Sequence, residues 1–395
     1  MALFKLNNTI QNYAWGSTTA LTDLFGLENP DDKPQAEIWM GAHEKGCSVI
    51  DGSDMSLKEY IDLDPNQALG DKTAKQYGEL PYLFKVLAAQ APLSIQVHPS
   101  KQAAKQGYEH ENAQGIDLSA PYRNYKDPNH KPELVYALTP YKAMNGFRPV
   151  DHIIALFDEF AISALSTELL AFKHDPSEVG LKAFFTSLLT LSQEKRQQAI
   201  MELMMSCQRL DFSPLAKEAS VYCQVFAGHY TDDVGILAPL ILNTIELKPG
   251  EAMFLDAETP HAYVQGTALE IMANSDNVLR AGLTPKHIDV PALIENTRFT
   301  SIAPEVLTLT PKAEPGRVHF PVPVEDFKFE VLSLEALNGA QAVQSAEILF
   351  CIDGQATVIA GDERCDLQPG ESAFITYNTR SYECVGYGRL ARAFN

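Results

Sequence analysis

Leu247-Lys248-Pro249-Gly250-Glu251 is followed by the apolar pair Met253-Phe254, and 120 positions on (247 to 367) the pattern returns as Leu367-Gln368-Pro369-Gly370-Glu371 with Ala373-Phe374. A Pro-Gly turn that leads into a short apolar run marks the start of a strand. Two such units at this spacing predict that the chain uses one β-architecture twice.

Each unit resembles the second half of a cupin barrel. The twelfth residue after the proline is His261 in the first copy and Ser381 in the second. The second copy thus lacks the imidazole and is expected to be a degenerate, metal-free barrel.

Outward from the repeat the chain shows three textures. Residues 1–150 carry Pro, Gly and short alternating runs and are read as strands and turns. The stretch 151–230 reads as helical. Asp175-Pro176-Ser177-Glu178 offers an N-cap, a proline at the first helical position and a capping-box acid. Leu181, Phe184, Phe185, Leu188 and Leu189 then share one helical face. A second helix is expected over 194–209, and strands resume near 240. The expected division is 1–150 plus 231–310 as one domain, 151–230 as a helical insertion and 311–395 as a C-terminal domain.

Four segments carry candidate ligands and charges. In Pro92-Leu-Ser-Ile-Gln-Val-His-Pro99, Leu93, Ile95 and Val97 face one way. Ser94, Gln96 and His98 face the other, so Gln96 and His98 stand side by side at i, i+2. Such a pair can chelate one metal, although a strand facing water shows the same alternation. Glu133 opens the strand Glu133-Leu-Val-Tyr-Ala-Leu138 on its small-residue face, a costly place for an acid unless it is paired or bound to a cation. Lys131 precedes it in a loop. Thr259-Pro-His-Ala-Tyr263 puts His261 and Tyr263 on one strand face, and the run 269–286 supplies Glu270, Asp276, Arg280 and Lys286. Two imidazoles, a carboxylate and an amide oxygen suit zinc, and the same set suits iron(II).

Composition bounds the partners. The 395 residues carry a formal net charge of −20, which argues against a nucleic-acid partner. No run is apolar enough for a membrane span, and the N-terminus lacks the features of a secretory signal, so a cytoplasmic location is expected. Cys47, Cys207, Cys223, Cys351, Cys365 and Cys384 form no C-x-x-C pair and are read as buried free thiols. No obligate protein partner is evident. Between 96 and 148 the balance reverses locally, with seven Lys or Arg against five Asp or Glu, as an anionic metabolite would need.

Six segments in order, Asn12-Tyr-Ala-Trp-Gly16, Ala36-Glu-Ile-Trp-Met-Gly41, Gln96-Val-His-Pro99, Asn129-His-Lys-Pro-Glu133, Asn145-Gly-Phe-Arg-Pro149 and Ser275-Asp-Asn-Val-Leu-Arg-Ala-Gly-Leu-Thr-Pro285, resemble the type I mannose-6-phosphate isomerase family. The resemblance implies a mainly β fold with a helical insertion. It would comprise cupin-like jelly-roll domains (a metal-bearing catalytic barrel and a degenerate C-terminal barrel) and an α-helical domain. It implies one Zn(2+) per chain on Gln96, His98, Glu133 and His261, and a phosphorylated hexose as substrate. Arg280 falls on the active-site arginine. Lys131, Glu270 and Asp276 match positions for substrate binding or proton transfer, and Ser94 with Lys286 match phosphate contacts.

The implied reaction moves a carbonyl between C1 and C2 of mannose 6-phosphate and fructose 6-phosphate through an enediol(ate). It needs a base, for which the sequence leaves Glu270 and Lys131 open. An iron-dependent cupin oxygenase and a non-catalytic sugar-binding cupin are the other two readings of the same ligands.

Overall fold

A computed structural model describes residues 2–395. It contains two large antiparallel sheet systems and a helical insertion.

The first system is organised by one long strand, His261–Ala273. Its first residues pair with Ile95–Val97 and Tyr141–Phe147, and its remainder pairs with Tyr82–Ala89 and Glu133–Ala137. The change of partners falls at a bulge between Tyr263 and Gln265, next to Gly266 at φ 118°. A Cβ at Gly266 would lie 2.5 Å from the Pro140 carbonyl oxygen, so only glycine lets the strand turn this corner. The strand therefore closes one sheet onto the other and forms a barrel wall.

Alternation along Glu133–Ala137 sorts its side chains as the sequence predicts. Val135 and Ala137 join Tyr141, Met253 and Tyr263 in the core on one side of the sheet. Leu134 and Tyr136 pack outward with Phe320 and Phe329 of the C-terminal unit. Ring contacts of Phe84 with Phe329 and Phe350, at 6.1 and 6.3 Å, continue this seam, so the two sheet systems share one apolar core.

Five helices, Val150–Phe160, Ser166–His174, Glu178–Leu189, Gln193–Ser206 and Pro214–His229, interrupt the antiparallel pair Tyr141–Phe147 and Leu242–Leu247. The insertion thus stands where a hairpin loop would be. The helix expected from residue 176 begins two residues later. Ser177, not Asp175, is the N-cap and accepts from the Gly180 amide, while the Asp175 carbonyl closes over Gly180. Leu181, Phe184, Phe185 and Leu188 are buried as expected. The following helix ends at Ser206, three residues short of the expected Arg209.

Two expectations need amendment. Residues 1–150 contain five helices besides strands, among them Leu57–Leu63, which starts at a complete capping box of Ser56 and Glu59, and Lys101–Ala113. The N-terminal strand Leu3–Asn7 and the short strand Val49–Ile50 belong to the C-terminal sheet, where Leu3–Asn7 pairs with Ser372–Ile375 and covers its edge. All six cysteines are free, and five are buried. Among the described residues no helix is long and apolar enough to cross a membrane.

Candidate metal centre and active site

His98, Glu133 and His261 come from three different strands or strand ends, and their ligand atoms lie within 4.8 Å of one another. All three are buried, with His98 only 1% exposed. The His98 Nδ1–H donates to the Asn277 carbonyl (2.6 Å), and the His261 Nδ1–H donates to the Thr259 carbonyl (2.9 Å). Each bond fixes the tautomer and leaves a bare Nε2 lone pair. Those lone pairs converge on the same carboxylate, with His98 Nε2 3.2 Å from Glu133 Oε1 and His261 Nε2 3.5 Å from Oε2. His98 Nε2 makes no hydrogen bond despite this distance. A buried ring nitrogen aimed at a carboxylate but not bonded to it fits a cation between them.

Gln96 lies in register with this cluster. It stands directly opposite His261 on one side and Arg280 on the other. Residues opposite one another in an antiparallel ladder project to the same face. Ser94, two positions earlier, is half-buried on that face.

The electrostatics favour a neutral imidazole and an ionised carboxylate. Burial, with help from the Lys131 ammonium, pushes His98 down to about 4. Burial alone would raise Glu133, but the Lys131 ammonium beside it outweighs burial and holds the carboxyl well below its usual range. The Lys131 Nζ sits 3.1 Å from Glu133 Oε1.

A second buried cluster adjoins the first. The Tyr263 hydroxyl touches Glu133 Oε2 and lies 2.9 Å from Glu270 Oε1. Glu270 Oε2 is 3.0 Å from the Lys85 ammonium, which is 3.8 Å from Glu37 and 5.0 Å from the Trp39 ring centroid. Burial raises Glu270 against the pull of Lys85. Lys85, Glu37, Trp39 and Tyr263 were not assigned from the sequence. Lys85 left a signal, as the one charge in the apolar strand Tyr82–Ala89.

Arg280 is half-buried and makes no ion pair or side-chain hydrogen bond with any described residue. It does not pair with Asp276. Asp276 instead binds Lys45 (2.6 Å) and His43 (3.4 Å). Burial would raise its carboxyl, but these two partners hold it well below the usual range. Lys286 is exposed, and its pKa is lowered first by the nearby Arg280 charge. Two uncommitted cations therefore stand near one another, Arg280 in the row that carries Gln96 and His261.

Among the described residues His98, Glu133 and His261 form the one cluster of this kind. In the C-terminal sheet Arg392 is buried, its Nε donating to Glu347 (2.8 Å), with Tyr382 donating to the same carboxylate (2.9 Å). Ser381 opens that strand where His261 opens its counterpart.

Fold and site together define a cupin-type metalloenzyme. The family model described as "Phosphomannose isomerase type I, catalytic domain" matches residues 3–150, and that described as "Mannose-6-phosphate isomerase, cupin domain" matches 317–395. The mannose-6-phosphate isomerase of Escherichia coli (strain K12) is 47% identical over 394 residues, covering 99% of both chains. The Homo sapiens mannose-6-phosphate isomerase is 34% identical, covering 95% of this chain and 94% of its own. A crystal structure of mannose 6-phosphate isomerase bound with zinc and yttrium superposes with a TM-score of 0.94 at 46% identity, covering 100% of each chain. The chain belongs to the type I phosphomannose isomerase family.

Proposed function

We propose that this chain is a zinc-dependent aldose–ketose isomerase that interconverts mannose 6-phosphate and fructose 6-phosphate. The observation that carries the reading is the convergence of three buried ligand groups, His98, Glu133 and His261, together with the uncommitted cations Arg280 and Lys286.

Gln96, His98, Glu133 and His261 would hold the zinc, which supplies a Lewis acid to polarise the substrate carbonyl. Arg280 faces the same side as Gln96 and presents a permanently charged fork of donors to the oxygen where enediolate charge develops. Lys286, near Arg280, and Ser94 would meet the phosphate. Asp276 stays ionised at working pH, so it accepts from a sugar hydroxyl and donates no proton. Glu270 carries the proton between C1 and C2. Burial raises its pKa in the direction a base at neutral pH requires, and the Tyr263 hydroxyl is within hydrogen-bond reach. Lys131 remains a counter-charge to Glu133. Neither an oxygenase nor a passive binding protein calls for both a free guanidinium and a raised buried carboxyl.

Incubation with mannose 6-phosphate in heavy water tests the reading. Fructose 6-phosphate should accumulate with deuterium from solvent at C1. Oxygen uptake without ketose, or no conversion of mannose 6-phosphate by zinc-loaded protein, would exclude isomerisation.

A further inference from the structure

We infer that Asn277 is a positioning residue that couples metal occupancy to the order of the substrate-side loop carrying Asp276 and Arg280. The inference rests on the ligand set above and not on the identity of the substrate.

Asn277 has no exposed surface, and all of its polar groups are committed. Its Nδ2 donates to the carbonyls of Asp127 (2.8 Å) and Asn129 (2.8 Å). Its Oδ1 accepts from the Lys126 amide (2.6 Å). The Asp127 carboxylate returns the tie, accepting from the Asp276 amide (2.7 Å) and the Ser275 hydroxyl (2.8 Å). Two chain segments some 150 residues apart are thus knotted side chain to backbone in both directions.

What the knot joins gives it a role beyond stability. One segment runs directly into Lys131 and Glu133, and the other into Leu279–Gly282, which carries Arg280. The carbonyl of Asn277 itself receives the His98 Nδ1–H at 2.6 Å and so selects the tautomer with a bare Nε2. Displacing this one peptide moves the orienting acceptor of a ligand and the base of the Asp276–Arg280 loop together. Coupling of this kind is reciprocal: whatever in the loop strengthens the metal site must be ordered in turn by the metal.

The test uses full-length protein stripped of metal and titrated with zinc, with hydrogen exchange followed by mass spectrometry. In the wild type, zinc should slow exchange over 126–131 and 275–280. Asn277→Ala should bind zinc roughly 10–100-fold more weakly, the usual loss when the partner of a ligating histidine is disturbed. Zinc should then protect 275–280 less. Asp127→Asn retains most of the knot and should fall between the two, which keeps the test open should Asn277→Ala fold poorly. Tyr382→Phe, which removes a buried hydrogen bond in the C-terminal sheet, controls for simple destabilisation and should leave zinc affinity unchanged. Wild-type zinc affinity in both knot variants, or exchange at 275–280 indifferent to zinc in the wild type, would overturn the inference.

Discussion

Arg280 lies directly across the ladder from Gln96, and Gln96 in turn faces His261. One row across three strands therefore carries an uncommitted guanidinium, an amide and an imidazole on a single face. If that row is catalytic, Arg280→Ala should keep its zinc and its fold yet lose roughly 10²–10³-fold in kcat, the typical cost of a missing oxyanion donor. Steady-state kinetics beside metal analysis checks this. Arg280→Lys should recover only part of the loss, because an ammonium lacks the planar fork. Near-normal kcat in Arg280→Ala would reduce Arg280 to a bystander.

The buried ammonium of Lys85 offsets Glu270 and Glu37, its near neighbours. Lys85→Met keeps much of the volume and leaves two buried carboxyls without their cation. Breaking a buried ion pair from one side costs about 3–5 kcal/mol. Urea denaturation of Lys85→Met should show a loss of that order. A loss under about 1 kcal/mol would mean that the cluster is hydrated and does not depend on Lys85.

Acid should loosen the metal-free protein through His98. Its folded pKa, about 4, is below the 6.5 of a free histidine, so below pH 6.5 the unfolded chain takes up the proton that the folded one refuses. Stability is thus complete above pH 6.5 and falls as the pH drops towards 4. Glu133, also depressed when folded, adds a loss of the same sign below its ordinary range. Thermal melts of stripped protein from pH 7 to 4 should show this decline, and His98→Gln should flatten its upper part. A decline unchanged in His98→Gln would place its cause elsewhere.

The C-terminal sheet should hold no metal. Arg392 and Glu347 are buried in it as an ion pair, and Ser381 stands at the position of the first copy's imidazole. Elemental analysis should find one tightly bound zinc per chain, and two would contradict it.

Legibility in the sequence followed the range of the interactions. His98 was readable as a candidate because strand alternation is local, and Glu133 because an acid among apolar residues needs a partner. The partner itself was not readable. Nothing local ties Glu270 to Lys85, or Asp276 to His43 and Lys45, because those pairs form only when distant strands and loops meet. The corner at Gly266 depends on the approach of Pro140 from another strand. Two misses were local. The Ser56–Glu59 capping box was written in the sequence, and Ser177 competed with Asp175 for the same cap. The N-terminal strand was assigned to the nearer barrel, whereas its edge partner lies some 370 residues away.

If the converging ligand groups hold a zinc on which isomerisation depends, removing the metal must stop the reaction. The most direct measurement is conversion of mannose 6-phosphate to fructose 6-phosphate by chelator-stripped protein, before and after one equivalent of zinc is returned. The stripped protein should show no conversion, and zinc should restore it in full. Undiminished conversion in protein shown by elemental analysis to be metal-free would contradict it.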